Sequence, residues 1–505
     1  MSLSTLAAIA FAALVTGGVL GVVVDAFGSR KIAVACVAAG LVVASGVFVH
    51  VSASTAHDGK TATTVWGVLH FGGMFASVGA VIAALAAVAV LGGWNELTRR
   101  DWGGSLAGLM GLGAAASIVV ALSTDVTLLL IGLETAAACG YVLVASGGRP
   151  GSREAALKYF VQGAIATGFF LFGMAVLVTA FLPTGNLDAL STGLQQGIPQ
   201  SVVSAALVLL IGALAFKAGA APFHSWVPDA YESSAPSSAA FLASGPKIGA
   251  VVALTVLAVQ AIAGGFDTPL VVVISLLAVL SILVGSITAL RQRSYTRMLG
   301  YAGVAQVGYA LVAVAMAQRP TYSLFFIACY AIASAGTFLA AGAFRQVRPE
   351  WDGTIEGLAG MSRQAPVLAL STSVLLISLA GIPPLLGFWA KFGVFVAAFV
   401  SAASSFHDGK LLVAWVSVTA ATAGIIGSAV SLAYYGSVLR ALYQQPAINS
   451  EDAVHVEAGA DDEPVPAASK GYSARVAVAV LAVVVVVVGV LPLLTGVSVL
   501  WSYFA

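Results

Sequence analysis

Four ionisable side chains lie inside long apolar stretches of the sequence. Lys217 and Lys247 occur in "FKAGAAPFHSWVPDAYESSAPSSAAFLASGPKIGAVVAL", Lys391 in "GIPPLLGFWAKFGVF" and Glu134 in "LLLIGLETAAACGYVLVA". Burial disfavours the charged form of a lysine, whereas a nearby carboxylate favours that form. A row of such groups can take up and release protons, and a changing contact between Glu134 and a lysine would switch proton affinity.

A structural role for these charges is the alternative interpretation: they form fixed ion pairs, or the lysines snorkel to the membrane surface. Snorkelling suits Lys158 and Arg297, which stand at the beginning of apolar stretches. It does not suit Lys247, about 13 residues into its stretch. His70, in "VWGVLHFGGMF", is a fifth candidate nearer the end of a stretch, where a structural role is favoured.

The composition identifies the elements that must hold these residues. Of 505 residues, 60% are hydrophobic and 9% charged, against about 25% charged in soluble domains. With roughly 20 apolar residues needed for each crossing, the sequence predicts an all-α polytopic membrane protein with about 14 transmembrane helices. The predicted spans are 3–24, 31–52, 64–91, 104–122, 125–145, 155–181, 201–230, 234–263, 269–290, 297–317, 321–344, 364–405, 411–443 and 474–500.

The twelfth span is too long for one straight helix, because about 40 residues would extend roughly 60 Å. Pro383 and Pro384 interrupt it. Counted as one broken crossing, it leaves 16 Lys and Arg residues on one side of the membrane and 3 on the other; counted as two crossings, 14 and 5. The positive-inside rule therefore favours a single broken crossing, with both termini outside.

Two interrupted helices suggest an internal repeat. Lys217 lies five residues before Pro222 and Lys391 seven after Pro384, on spans 7 and 12. Spans 4–8 and 9–13 can then form two inverted five-helix repeats, with helices 7 and 12 broken and water near the breaks. The predicted units are an N-terminal three-helix segment (1–100), the first repeat (101–263), the second repeat (264–443), and an acidic cytoplasmic loop with helix 14 (444–505).

Several motifs together resemble a known family. They are "LLLIGLETAAACGYVLVA" (128–145), "SREAALKYFVQGAIATGFFLFGMAVL" (152–177), "APFHSWVPDAY" followed by "GPK" (245–247), "SYTRMLGYAGVAQVGYALVA" (294–313) and "GIPPLLGFWAKFGVF" (381–395). The chain resembles the antiporter-like membrane subunits of respiratory complex I, the proton-pumping NADH:quinone oxidoreductase, and the lysine in "GPK" is typical of their N subunits. One departure is Gln306, where relatives often carry histidine. Glutamine can hold water but cannot carry the proton.

The resemblance implies a role for each buried charge. Glu134 would be the glutamate of helix 5, Lys217 its partner on broken helix 7, Lys247 the central relay on helix 8 and Lys391 the terminal lysine on broken helix 12. Protons would pass from the cytoplasm to the outside, driven by quinone reduction in a distant arm.

The resemblance also implies the setting of the chain, a bacterial inner (plasma) membrane. The expected partners are the lipid bilayer and other complex I membrane subunits, especially K and M, and no nucleic acid. No cofactor or metal is expected in this chain, whose Cys36, Cys139 and Cys329 lie far apart. The complex as a whole would use FMN, iron–sulfur clusters and quinone.

Two other functions remain open. One is a subunit of a multisubunit cation/proton antiporter of the same ancestry, and the other is a carrier whose lysines bind an anionic solute. His224, beside the break in span 7, is compatible with a structural contact to Asp229 or Glu232 at the cytoplasmic end.

Overall fold

The computed structural model describes residues 1–57, 64–180, 185–187, 190–193, 199–316, 320–445 and 472–495. Within these ranges 14 helices are long and apolar enough to cross a membrane. The predicted all-α membrane fold with 14 spans is confirmed. The acidic loop and the last residues of the chain lie almost entirely outside the described residues.

Twenty helices follow one another along the described chain. They are α1 (Leu3–Ala26), α2 (Arg30–His57), α3 (Gly73–Gly92), α4 (Trp94–Arg99), α5 (Gly103–Leu122), α6 (Val126–Ala145), α7 (Ser152–Ala180), α8 (Leu190–Gly193), α9 (Gln200–Ala218), α10 (Trp226–Ser233), α11 (Pro236–Leu242), α12 (Gly245–Ala263), α13 (Asp267–Ala289), α14 (Tyr295–Ala315), α15 (Pro320–Val347), α16 (Met361–Gln364), α17 (Pro366–Ala380), α18 (Leu386–His407), α19 (Leu411–Tyr443) and α20 (Ser473–Thr495).

The third span begins later than predicted. Residues expected to open this helix form instead a two-stranded antiparallel hairpin, β1 (Thr64–Val65) and β2 (Leu69–His70). Gly67 adopts a φ of +72° between the strands, a conformation that turns the chain and that a helix does not use. The prediction was wrong here because apolar composition alone does not distinguish a short, partly exposed hairpin from a helix end.

The predicted breaks in helices 7 and 12 are confirmed. Span 7 consists of α9 and α10, and span 12 of α17 and α18. Gly219 (φ +84°) ends α9 and Gly381 (φ +88°) ends α17. Glycine adopts this left-handed conformation without the steric cost that a Cβ atom imposes.

A third interruption was not predicted. Span 8, Pro236–Ala263, consists of α11 and α12, because Ser244 leaves the helical conformation (φ −115°, ψ −82°). Pro246 is tolerated in the first turn of α12, where its missing N–H has no helical partner to lose. Lys247 is therefore at the beginning of a new helix near the middle of its span.

The bundle centre is formed by α14. Of the residues in the most apolar segment of α14, 94% are buried inside the protein. The corresponding share for α1, at the periphery, is 33%. Small residues allow its close packing: a Cβ added at Gly285 of α13 would lie 2.4 Å from the backbone nitrogen of Ala305. The second half of the chain thus packs around Gln306 and its neighbours on α14.

Candidate functional site

Glu134 and Lys217 form an ion pair within the apolar interior. Lys217 is the next-to-last residue of α9, and its Nζ lies 2.9 Å from Oε1 of Glu134 on α6. Thr167 of α7 donates a hydrogen bond of 2.7 Å to the same oxygen. The lysine side chain is 8% exposed and the glutamate 40%. The lysine therefore lies inside the chain, whereas the carboxylate reaches a face that another protein can cover.

Lys247 lies among aromatic rings. Its Nζ lies 5.3 Å and 5.5 Å from the ring centroids of Tyr231 and Tyr330, and donates a hydrogen bond of 3.5 Å to the Tyr330 hydroxyl. Within the described residues no carboxylate forms an ion pair with it. The side chain also lies beside the break in span 7, since a Cβ added at Gly219 would be 3.8 Å from this Nζ.

Lys391 is held by neutral groups at the break in span 12. Its Nζ donates hydrogen bonds of 3.1 Å to the carbonyl oxygen of Ala380 and 3.1 Å to Oγ of Ser428. Ala380 is the last residue of α17, so its carbonyl has no helical partner. The lysine also lies over the Tyr309 ring, 4.6 Å from the centroid. The break thus supplies an acceptor for the lysine.

A small cavity borders both Lys391 and Tyr330, the tyrosine whose hydroxyl accepts the hydrogen bond of Lys247. Its volume is about 10 Å³, close to the space that one water molecule occupies, and its lining includes Gln306, Tyr330, Ser378 and Lys391. Gln306 donates a hydrogen bond of 2.9 Å to the carbonyl oxygen of Leu379. Glutamine thus stands at the junction between the two lysines, where the resemblance leads one to expect histidine.

A cluster of ion pairs lies at the α10 end of span 7. Lys158 of α7 lies 3.1 Å from Asp229 and 2.8 Å from Glu154. Arg297 of α14 contacts both Asp229 and Glu232 at 2.8 Å. Lys158 and Arg297, for which snorkelling was the interpretation, thus each form two ion pairs. The cluster joins α7, α10 and α14, and so links the two predicted repeats.

The two candidate histidines, His70 and His224, each lie near an aromatic ring. His70 stands on β2, with its ring 4.7 Å from that of Phe75. His224 lies in the segment between α9 and α10, with its ring 6.3 Å from that of Tyr301. The carboxylates considered as partners for His224 bind Arg297 instead.

Metal ligation finds no support in the described chain, which contains no group of three or more His, Cys, Asp or Glu side chains that could hold an ion. The three cysteines are free; Cys139 and Cys329 are buried and Cys36 is partly exposed. These thiols behave as small core residues.

The neutral partners of the charges were not predicted. Thr167, Tyr330 and Ser428 each contact a buried charge, yet such residues are common in membrane helices and no spacing singles them out. Only the helix packing brings them to the site.

Charged side chains across the middle of a multi-pass helical bundle are typical of membrane proteins that move ions. The chain belongs to the transmembrane family described as NADH:quinone oxidoreductase/Mrp antiporter, which residues 123–432 match. This confirms the resemblance.

The relatives specify the family branch. The NADH-quinone oxidoreductase subunit N 2 of Acidobacterium capsulatum is 35% identical over 355 residues, 68% of each chain. A chain of respiratory complex I from Thermus thermophilus with bound aureothin superimposes with a TM-score of 0.74 at 26% identity, covering 96% of this chain and 97% of that one. A chain of the Mrp complex from Dietzia sp. DQ12-45-1b has the same fold, with a TM-score of 0.78 at 21% identity and 98% and 96% coverage.

Proposed function

We propose that the chain is the proton-translocating N-type membrane subunit of a bacterial NADH–quinone oxidoreductase. The observation that supports this most is the Glu134–Lys217 ion pair at the break of span 7, followed by two buried lysines without a described carboxylate partner. In this proposal the chain lies in the plasma membrane with both termini outside. Its 16-to-3 distribution of basic residues supports that orientation.

The ion pair would act as the switch. While Glu134 contacts Lys217, it stabilises the ammonium form. When the carboxylate moves away, the lysine is left charged in an apolar interior, which favours transfer of its proton towards Lys247. The distance between Glu134 and Lys217 thus controls when a proton passes along the row of buried lysines.

The second step would run from Lys247 to Lys391. The Tyr330 hydroxyl can accept a hydrogen bond from Lys247 and donate to a water, and the water-sized cavity beside it reaches Lys391. Gln306 lines the same cavity and would orient that water without carrying the proton itself. Tyr330 would thus assume the part that a histidine plays in relatives.

Energy for transport must come from elsewhere in the assembly. Moving one charge against 100 mV requires about 2.3 kcal/mol. In this proposal quinone reduction in a distant arm supplies it, with FMN and iron–sulfur clusters in other subunits. Subunit K would cover the half-exposed Glu134, and subunit M would neighbour the Lys391 half.

The two-repeat organisation, with units at 101–263 and 264–443, is part of this proposal. Its support is the matching pair of breaks, each with a left-handed glycine at the end of the preceding helix. An odd number of helices in each unit inverts the second copy in the membrane.

The direct test is quinone-dependent proton pumping by the whole complex in proteoliposomes. We expect Glu134→Ala and Lys217→Ala each to reduce pumping strongly. Glu350→Ala, which removes a carboxylate that is 75% exposed, is the control and should pump normally. Undiminished pumping in both test variants would contradict the assigned roles.

A subunit of a cation/proton antiporter is the second candidate, supported by the shared fold of the Mrp complex. A sodium gradient would then drive proton movement with no electron donor present. Proton flux that requires NADH and quinone, and that a sodium gradient alone does not produce, favours the first proposal.

A further inference from the structure

A second polar cavity lies at the cytoplasmic ends of the helices, away from the row of buried charges. Its volume is about 440 Å³. Gly92, the last residue of α3, and Ala474, the second residue of α20, both line it, together with Arg345 near the end of α15. Because all three helices end at this level, the cavity lies at the depth of the lipid headgroups.

The cavity is strongly basic. Arg99, Arg100 and Arg345 line it, against the single carboxylate of Glu96. Arg100 is already engaged, since it donates to the carbonyl oxygen of Ser146 and lies 3.7 Å from Glu96. Arg99 is exposed and Arg345 half-buried, and among the described residues neither forms an ion pair. The guanidinium of Arg345 lies over the ring of Trp351, 5.5 Å from the centroid. A guanidinium stacked on a ring keeps the N–H donors at its edge, so both Arg345 and Arg99 can offer donors to a ligand in the cavity.

One carboxyl group, Glu96, compensates the charge of the three arginines only in part. Its Oε1 accepts a hydrogen bond of 3.0 Å from Oγ of Ser237, so its position is determined by α11. Burial raises the pKa of Glu96, against the opposing effects of Ser237 and Arg100. A raised pKa favours the neutral carboxyl, which compensates less of the arginine charge than a full carboxylate would.

One wall of the cavity is apolar. Leu339, Gly342 and Ala474 line it where α15 and α20 meet. The cavity thus has a basic side and an apolar side, which is the surface that an amphiphile requires. Its volume lies in the range of roughly 300–1,000 Å³ that small-molecule sites occupy.

We propose that this cavity binds the phosphate of an anionic phospholipid of the cytoplasmic leaflet. Arg99 and Arg345 contact the phosphate oxygens, which the planar guanidinium fits with paired hydrogen bonds. The acyl chains lie along the wall between α15 and α20. Basic pockets between transmembrane helices on this side are suited to such headgroups. Free phosphate shares the anionic chemistry but gains nothing from the apolar wall.

The bound lipid would stabilise the docking of the last span. Near the cavity, Asn95 donates a hydrogen bond of 3.0 Å to Ser473, whose hydroxyl donates to the carbonyl oxygen of Gly92 at 3.1 Å. These two bonds connect α20 to α3 and α4. A lipid in the adjoining cavity fills the remaining space between α20 and α15.

Native mass spectrometry of the intact complex, purified in mild detergent, tests the proposal by counting phospholipid bound to this subunit. The test variant is Arg99→Gln/Arg345→Gln. The control is Arg153→Gln/Arg291→Gln, which removes the same charge from exposed cytoplasmic positions. At about 1 kcal/mol for each arginine near the membrane surface, we expect roughly thirtyfold weaker binding in the test variant and none of this loss in the control.

Competition separates the two sources of phosphate. Phosphatidylglycerol nanodiscs should restore the bound lipid, whereas phosphatidylcholine nanodiscs and inorganic phosphate should not. Displacement of the lipid by millimolar inorganic phosphate would overturn the lipid proposal, as would equal retention in the test and control variants.

If the double variant fails to assemble, the single variant Arg99→Gln is used for the same measurement, because that exposed side chain has no ion pair in the described structure. Unchanged retention in Arg99→Gln would then overturn the proposal. Bound lipid is measured independently of pumping, so a negative result would contradict the lipid site and leave the proposed proton path unchanged.

Discussion

The breaks in spans 7 and 12 have the same backbone conformation at their first residue, but the lysine at each break has different partners. Each begins with a glycine in the left-handed conformation, Gly219 or Gly381. At the first break Lys217 has a carboxylate partner. At the second, Lys391 contacts a carbonyl, a hydroxyl and an aromatic ring, and no carboxylate among the described residues pairs with it. A carboxylate beside a lysine stabilises its charged form, and Lys391 lacks such a partner among the described residues. We therefore expect the first half to be suited to receiving a proton and the second half to releasing it.

Replacement of Lys391 by methionine should have the largest effect. Methionine keeps the length and packing beside Gly381 but cannot hold a proton. Loss of a proton-transfer group typically costs about a hundredfold or more, and we expect quinone-dependent pumping to fall accordingly. Lys410→Met removes an exposed lysine that is bound to Asp267, and should pump normally. Equal pumping by the two variants would show that the second half needs no lysine.

Alanine at the two break glycines should distinguish the halves. Either change forces a left-handed alanine, at a cost of about 1–2 kcal/mol. A Cβ at Gly381 would lie 2.8 Å from Cδ of Lys391, whereas at Gly219 it would lie 2.7 Å from Val227. Gly381→Ala therefore displaces the relay lysine itself and should lower pumping about tenfold.

The control for these variants is Gly409→Ala. Gly409 has a φ of +73°, but a Cβ there meets no atom within 4 Å. It should lose stability without losing pumping. If Gly219→Ala pumps as poorly as Gly381→Ala, backbone strain and not the lysine position is the cause.

Replacement of Tyr330 by phenylalanine should slow proton passage between the halves. The ring beside Lys247 stays, but the hydroxyl that borders the water-sized cavity is lost. One hydrogen bond of this kind corresponds to about a two- to tenfold change, read as initial pumping rate. Tyr295→Phe, which removes a hydroxyl bound to the carbonyl oxygen of Thr337, should have no such effect. A normal rate in Tyr330→Phe would remove this tyrosine from the path.

Arg297→Lys should have the smallest effect. The guanidinium contacts both Asp229 and Glu232, and an ammonium group cannot reproduce this geometry. The pairs are partly exposed, so we expect a loss of only about 0.2–1 kcal/mol. Heating the purified complex and measuring how much of this subunit stays soluble gives the readout. A large loss would show that the cluster holds the two halves together.

The breaks and the missed interruption show how far sequence reasoning reaches. Pro222 and Pro384 are visible in the sequence because proline cannot continue a helix, so both breaks were predicted. The interruption at Ser244 was not, although "GP" precedes Lys247. The sequence does not show whether a proline stands in the first turn of a helix or inside it, and the residues around Pro246 are mostly small or apolar.

The sequence by itself determined the membrane fold, the 14 spans and the four buried charges, because hydropathy and the cost of a charge in lipid act on each segment separately. The family resemblance implied that Lys217 is the partner of Glu134, whereas the tertiary structure alone gave the geometry of that pair and the neutral partners of the other two lysines. It placed Glu134 against Lys217 and left Lys247 and Lys391 among tyrosines and a serine. It also gathered arginines from α4 and α15 around one cavity. Such contacts depend on helix packing between distant segments, and in a bundle of small apolar residues that packing leaves no local pattern in the sequence.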